Sequence, residues 1–147
     1  MPSSLQVQAQ DRSIEGMTVM LLDDNRSVLE ALRLDLLDRG ATVHGFDRVA
    51  RALDALHSGL VVDAAIVDYD LGDEHSGIEF CERCRREGEH FAVMIVTGRT
   101  DATTLRTIFD SGIPWLTKPA EPDQLAAALV RMTRTHKSAV KLAAADG

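Results

Sequence analysis

The stretch AAIVDYDLGDEHSG, residues 64–77, decides the fold of this chain. It begins with four apolar residues, a continuous run typical of a strand that is buried on both faces of a parallel sheet. The run leads directly into Asp68, and a second acid, Asp70, follows two residues later. We therefore expect a buried strand that delivers a carboxylate to one edge of a sheet. The function depends on which other residues reach that edge.

The pattern of a short apolar run followed by a helical segment occurs five times along the chain. The apolar runs are MTVMLL, TVHGF, AAIVDY, FAVMIV and IPWLTK. The helical segments show an apolar residue every three or four positions, the spacing of one helix face. In the first of them, NRSVLEALRLDLLDRG, that face carries Val28, Leu29, Leu32 and Leu36.

Five strands that alternate with five helices predict a parallel sheet covered by helices on both faces. We expect a flavodoxin-like, doubly wound (βα)5 three-layer sandwich with the strand order 2-1-3-4-5, because a barrel would need eight repeats. Pro114 lacks the N–H that a strand donates, so it belongs to an edge strand, where this order places the fifth strand. Asp47 is a plausible N-cap of the second helix, and Pro122 is favoured in the first turn of the last helix.

The composition predicts one domain with short polar ends. Residues 1–16 are rich in Gln, Ser and charge and are expected to form a flexible leader. Residues 17–136 form the predicted domain, and residues 137–147 either extend its last helix or fray. The formal charge of −7 and the pI of about 5.1 argue against a nucleic-acid groove or an anionic membrane surface as a direct partner. No secretory signal or membrane-spanning run is visible, so we expect a cytoplasmic protein.

The two cysteines, Cys81 and Cys84, form a C-x-x-C pair inside a helical segment. Such a pair can be a redox centre or half of a zinc site. No second pair completes a metal site, and both cysteines share a helix face with Ile78. We therefore interpret them as small buried residues.

Polar residues follow the carboxyl ends of four predicted strands. They are Asp23 and Asp24, Asp68, Thr97, and Lys118. Ligands of an open α/β sheet bind at this edge. Three neighbouring carboxylates stay charged only if a cation neutralises them, and Mg²⁺ prefers oxygen ligands. A carboxylate in such a site can accept a phosphoryl group whose oxygens a lysine and a hydroxyl hold.

Each of these residues also has a simpler interpretation. Asp23 and Asp24 could cap the first helix, and Thr97 could cap the fourth. Asp68 could be an ordinary turn acid, and Lys118 an exposed strand end. The convergence of all of them on one edge of one sheet favours a shared site.

The motifs VMLLDDN, AAIVDYDLGDEHSGIEF, VMIVTG and WLTKP together resemble those of a response-regulator receiver domain, the phosphoacceptor module of two-component signalling. The resemblance extends from about residue 17 to residue 136. It implies that Asp68 becomes phosphorylated, that Asp24 binds Mg²⁺ directly, and that Asp23 binds it mainly through water. The backbone carbonyl of Asp70 would be a further ligand of the ion.

The resemblance also implies roles for residues near the fourth and fifth strands. The Thr97 hydroxyl and the Gly98 N–H would contact the phosphoryl group, and Lys118 would pair with one of its oxygens. The Lys118–Pro119 bond is expected to be cis, and Trp115 occupies the place of an aromatic switch residue. Phosphorylation would then change the surface formed by the fourth helix, fifth strand and fifth helix.

The implied partners are a sensor histidine kinase or a phosphotransfer protein and a downstream protein effector, with a homodimer possible. The domain would be a signalling module and not an enzyme. Two alternatives stay open: an aspartyl-nucleophile, Mg²⁺-dependent phosphatase, and a degenerate receiver that only binds partners. The phosphatase is disfavoured because LLDDNRS lacks the D-x-D pattern expected after the first strand.

Two features depart from the usual receiver pattern. Asp70 is acidic where the family often has a neutral or basic residue, and Arg99 lies two residues after Thr97. We expect the two side chains to form a partly exposed ion pair that alters water access to the site. The loop LGDEHSG is rich in acid and glycine, and it is expected to be mobile with His75 on its surface.

Overall fold

The computed structural model describes residues 12–72 and 75–146, and it contains a five-stranded parallel sheet in the order β2-β1-β3-β4-β5. The strands are β1 (Thr18–Leu22), β2 (Thr42–Phe46), β3 (Ala64–Asp68), β4 (Ala92–Thr97) and β5 (Trp115–Thr117). The helices are α1 (Arg26–Asp38), α2 (Val49–His57), α3 (Gly77–Arg86), α4 (Ala102–Ser111) and α5 (Pro122–Asp146). The predicted flavodoxin-like (βα)5 fold and its strand order are confirmed.

The sheet separates two apolar layers, because successive residues of a strand point to opposite faces. One layer contains buried side chains of α1 and α5, such as Leu36 and Leu129. The other layer contains buried side chains of α2, α3 and α4, such as Leu53, Ile78 and Ile108. Helices therefore cover both faces, and the two ends of the strands remain as the places where a site can form.

The N-cap predicted for the second helix is wrong. Arg48, and not Asp47, is the N-cap residue of α2, and its side chain makes no capping hydrogen bond. The Asp47 carboxylate instead accepts hydrogen bonds from Arg26 at 3.0 Å and from Arg51 at 3.3 Å. Charged donors from two helices thus occupy the oxygens that a cap would need.

The packed part of the chain begins before residue 17. Ile14 is fully buried in the layer of α1 and α5, and the N–H of Gly16 donates to the carbonyl of Gly40 at 2.9 Å. Residues 12–16 of the leader predicted for residues 1–16 therefore pack against the domain, and its residues 1–11 lie outside the described residues. At the other end α5 continues to Asp146, so the predicted tail extends the helix.

The edge strand β5 is short. Its first residue, Trp115, pairs with Ile95, so residues 92–94 of β4 extend beyond the start of β5. Pro114 lies just before the strand, and its carbonyl accepts from the N–H of Ile95 at 2.9 Å. The predicted edge position of this segment is confirmed.

The cysteine pair has the structural role that its spacing predicts. Cys81 and Cys84 are free and buried among the side chains of the α2–α4 layer. Burial raises the pKa of each thiol to about 12. Within the described part of the chain, no helix combines the length and hydropathy that a membrane crossing requires.

Candidate functional site

Residues from the ends of four strands meet at one edge of the sheet. Asp23 follows β1, Asp68 ends β3, Thr97 ends β4 and Lys118 follows β5. The Nζ atom of Lys118 lies 3.1 Å from an oxygen of Asp23 and 3.2 Å from an oxygen of Asp68. The convergence expected from the topology is therefore present at the level of atoms.

The parallel register positions these residues. Thr97 pairs with Thr117, and Asp68 pairs with Val96, so β3, β4 and β5 end at nearly the same height. The backbone N–H of Lys118 donates to the carbonyl of Thr97 at 2.7 Å, which continues the ladder by one residue. The Lys118–Pro119 peptide bond is cis, as expected.

The three carboxylates form a cluster that suits a divalent cation. Oxygens of Asp23, Asp24 and Asp68 lie within 4.8 Å of one another. Asp23 and Asp68 are buried, with 5% and 8% of their surfaces exposed, whereas Asp24 is exposed. Mg²⁺ takes oxygen ligands and usually keeps several waters. The three carboxylates supply oxygen ligands, and the solvent-exposed position of Asp24 leaves room for the waters. The residues therefore fit this ion.

The charges of the site are unbalanced without a cation. Burial raises the pKa of Asp68 to about 6, and the charge of Asp23 adds to the increase, while Lys118 acts in the opposite direction. Burial also acts to lower the pKa of Lys118, but its contacts with Asp23 and Asp68 raise that pKa overall. The lysine therefore stays charged, and ionised Asp68 is held at a cost in free energy.

The capping interpretations of the acids and of Thr97 are wrong. Asn25 is the N-cap of α1, and its side chain accepts from the N–H groups of Ser27 and Val28. Its own N–H donates to the Asp23 carboxylate at 2.9 Å. Asp101 is the N-cap of α4. The signals for both caps were present in the sequence, since Asn and Asp are preferred cap residues.

The hydroxyl of Thr97 is fully buried at the end of β4. It accepts from the N–H of Arg99 at 2.9 Å, a bond that turns the chain away from the strand. Gly98 lies between these residues, and a β-carbon there would be 3.9 Å from the side chain of Lys118. Thr97 and Gly98 thus flank the lysine.

Trp115 lies at the start of β5, whereas Lys118 directly follows the end of that strand. The tryptophan is partly buried and packs against the α2–α4 layer. It is therefore not part of the carboxylate cluster, and its role as a switch stays a prediction.

Asp70 and Arg99, the two residues that depart from the usual pattern, lie close together. An Arg99 nitrogen is 3.7 Å from an oxygen of Asp70, but the guanidinium also contacts Asp101 at the shorter distance of 3.2 Å. The same group lies 6.0 Å from the centre of the Tyr69 ring. The predicted pair is thus one part of a larger exposed cluster. Asp101 could have been included from the sequence, because it is only two residues beyond Arg99.

The loop after β3 approaches the site closely. Gly72 has a positive φ of 72°, and a β-carbon there would lie 3.3 Å from a carboxylate oxygen of Asp24. A β-carbon on Gly77 would overlap the carbonyl oxygen of Asp68, closer than atoms can pack. Residues 73 and 74 of the loop that was predicted to be mobile lie outside the described residues. His75 is exposed, as expected.

Comparison with known proteins gives a consistent result. The chain is 28% identical over 130 residues to the alginate biosynthesis transcriptional regulatory protein AlgB of Pseudomonas syringae, covering 88% of this chain and 29% of AlgB. It is 29% identical over 131 residues to the response regulator MprA of Mycobacterium avium, covering 86% of this chain and 57% of MprA. The chain thus spans less than two thirds of these curated relatives.

Solved structures agree with the fold. The full-length FixJ of B. japonicum matches with a TM-score of 0.75 and 26% identity, over 86% of this chain and 62% of FixJ. A CheY-like receiver domain from Methanospirillum hungatei matches with a TM-score of 0.74 and 18% identity, over 84% of this chain and 98% of that one. Residues 19–130 match the family described as the response regulator receiver domain, so the chain belongs to the response regulator receiver domain family.

Proposed function

We propose that Asp68 accepts a phosphoryl group from a phosphohistidine of a sensor kinase or a phosphotransfer protein. An Asp68 oxygen forms the new O–P bond, the P–N bond of the donor breaks, and its electron pair returns to the imidazole. The observation that carries the proposal is the contact of Lys118 with both Asp23 and Asp68 at 3.1 and 3.2 Å, beside a third carboxylate. A lone ion pair would not need the two additional acids.

The neighbouring residues have separate roles in this reaction. Asp23, Asp24 and Asp68, with the carbonyl of Asp70, would hold Mg²⁺, which when bound supplies positive charge against the carboxylates and the incoming phosphoryl oxygens. Lys118 holds one phosphoryl oxygen and shields the attacking carboxylate from Asp23. These groups keep Asp68 ionised, as a nucleophile must be, although burial alone favours its neutral form.

Thr97 and Gly98 complete the set of donors. The Thr97 hydroxyl donates to a phosphoryl oxygen by leaving its present position beside the N–H of Arg99. The N–H of Gly98 contacts the same group from the adjacent position in the chain. The Gly98 N–H belongs to the backbone and needs no side-chain rotation, so only the Thr97 hydroxyl reorganises when charge arrives.

The phosphoryl group then shifts the domain between two packings. It adds about −1.5 to −2 charges at one point, and it attracts Thr97 and Lys118 at the ends of β4 and β5. Helix α4 lies between these strands in sequence and has only Thr104 and Ile108 as buried residues. A weakly held helix is the natural element to move, so we propose that α4, β5 and α5 form the output surface.

The output is proposed to be contact with another protein, and the domain acts as a switch and not as an enzyme. Two relatives carry the names transcriptional regulatory protein and response regulator, but this chain covers 29% and 57% of them. With a formal charge of −7, the chain itself is a poor ligand for nucleic acid. Cytoplasmic action belongs to the same proposal.

Intact-mass spectrometry tests the acceptor. Incubation of the protein with acetyl phosphate and Mg²⁺ should add one phosphoryl group that is stable to acid and labile to base. Asp68→Ala should remain unmodified, while Asp110→Ala, a matched change of an exposed acid on α4, should behave like the wild type. Modification of Asp68→Ala, or no modification of the wild type, would contradict the proposal.

Fluorescence tests the switch. Trp115 is the sole tryptophan of the chain, so its emission reports one position. Saturation with Mg²⁺ and beryllofluoride, a phosphoryl analogue, should change the emission of the wild type and leave that of Asp68→Ala unchanged. An unchanged wild-type spectrum would count against the part of the proposal that includes Trp115.

A further inference from the structure

A cavity of about 770 Å³ lies between the beginning of β4, the short β5 and the middle of α5. Its lining includes the apolar side chains of Met94, Trp115 and Met132. Cavities of about 300–1,000 Å³ with apolar walls and a few polar groups are typical of small-molecule sites. This one is distinct from the carboxylate cluster, since none of the three clustered acids lines it.

The short edge strand creates the space. Residues 92–94 of β4 extend past the start of β5, and Pro114 has no N–H with which to continue the ladder. On the opposite side, α5 contributes the small residues Ala128 and Ala139. Ala139 lies beyond residue 136, in the part of the helix that extends the domain, so the extension forms part of the wall.

The charged residues around the cavity favour an anion. Arg85 and Arg131 both line it, and neither has a carboxylate within 4 Å among the residues that the structure describes. The imidazoles of His90 and His136 add two further polar groups, and Glu89 is the one acid among the described residues of the lining. This local excess of positive groups occurs in a chain whose formal charge is −7.

One buried nitrogen in the lining has no partner. The Nε2 atom of His136 is closed to solvent and makes no hydrogen bond within the described ranges, residues 12–72 and 75–146. A buried polar atom without a partner is costly, and native structures contain few of them. His136 lines the cavity, so a rotation of its ring would let an oxygen of a bound ligand supply the missing bond.

We propose that this cavity binds a soluble amphipathic carboxylate. The apolar chain or ring of the ligand lies against Trp115 and Met132, and its carboxylate lies toward Arg85, Arg131 and the imidazole of His136, which rotates to meet it. A peptide strand is a poorer occupant, because the open edge of β4 offers three residues and strands usually have about five or six. The proposal adds a ligand to the domain and does not depend on phosphorylation.

Decanoate and its uncharged analogue decanol are suitable probes. Isothermal titration calorimetry and the emission of Trp115 should both report one site for decanoate, with decanol about tenfold weaker or more because it lacks the charge-assisted bonds. Arg131→Gln should weaken decanoate binding about three- to tenfold. Arg134→Gln, a matched change at a position of α5 outside the cavity lining, should have no effect.

A second variant separates binding in the cavity from adsorption to the surface. Ala139→Phe fills part of the cavity from an exposed helix position, so it should abolish decanoate binding without changing the circular dichroism of the protein. Equal affinity for decanoate and decanol, no binding of decanoate at millimolar concentration, or unchanged binding by Ala139→Phe would each overturn the proposal. If sedimentation shows a dimer that Ala139→Phe dissociates and that decanoate does not displace, a second copy occupies the cavity and the proposal is wrong.

Discussion

Replacing Asp68 with asparagine should stabilise the metal-free protein at neutral pH, although it removes the proposed acceptor. The pKa of Asp68 is raised from its ordinary value of 3.8 to about 6 by burial and by Asp23. Between these pH values the folded chain binds more protons than the unfolded chain, so the free energy of unfolding falls as the pH rises. Above pH 6 the folded protein carries the full cost of the ionised carboxylate.

The size of the effect follows from the shift. About two pKa units correspond to about 3 kcal/mol at about 1.4 kcal/mol per unit. Asp68 is only 8% exposed, but the neighbouring Asp24 is open to solvent, so screening lowers this figure to about 2–3 kcal/mol. The asparagine side chain is neutral at every pH. Asp68→Asn should therefore raise the free energy of unfolding by about 2–3 kcal/mol at about pH 7.5 and hardly change it near pH 4.

Urea unfolding in the presence of EDTA measures the difference. With a slope of about 1–3 kcal/mol per molar urea, the midpoint of Asp68→Asn should lie roughly 1–2 M above that of the wild type at about pH 7.5. Added Mg²⁺ should reduce the difference between the two urea midpoints. The wild type keeps all three carboxylates and binds the ion more tightly, and a ligand that binds the native state stabilises it. A variant that is less stable than the wild type at this pH, or a difference that does not vary with pH, would refute the reasoning.

Three further outcomes follow from contacts near the site and in the core. Gly77→Ala should destabilise the protein by roughly 2–3 kcal/mol in urea unfolding, because its β-carbon would overlap the last carbonyl of β3. Arg99→Ala and Asp70→Asn should each change the rate of dephosphorylation measured by loss of label, since the two side chains lie together at the mouth of the site. Cys81 and Cys84 should resist a thiol reagent in the folded protein up to about pH 9, because burial raises their pKa values to about 12.

Each of these outcomes has a control. For Gly77→Ala, Gly45→Ala places a β-carbon 3.3 Å from the flexible end of Leu29 and should cost much less. If Arg99→Ala and Asp70→Asn both dephosphorylate at the wild-type rate, the proposal that this pair alters water access is wrong. The thiols should react at once after unfolding in urea, and equally fast reaction in the native state would show that they are accessible.

The sequence was sufficient for the fold and for most of the site, for one physical reason. Parallel strands that alternate with helices end at a common edge, so polar residues at the ends of apolar runs must come together. Asp23, Asp68, Thr97 and Lys118 could therefore be placed from strand order alone. Their distances depend on register, which the runs indicated only approximately.

The failures of prediction arise from contacts that the local sequence does not indicate. Asp47 has the right residue type for a helix cap, but guanidinium groups of Arg26 and Arg51 take its oxygens. Ile14 is a single apolar residue in a polar segment, so the local sequence does not indicate its burial in the layer of α1 and α5. The cavity beside β5 was equally hidden, because the run IPWLTK does not reveal that only three residues pair.

The two-layer packing allows the direction of a signal through the domain to be observed. Met94 and Ile95 are neighbours on β4, yet the first contributes to the layer of α1 and α5 and the second to the layer of α2, α3 and α4. Isotope-labelled methyl groups one residue apart would thus report separately by NMR on the two sides of the sheet. A response of the Ile95 methyl alone would assign the rearrangement to the α4 side, and a response of both would mean that α5 or the sheet itself also moves.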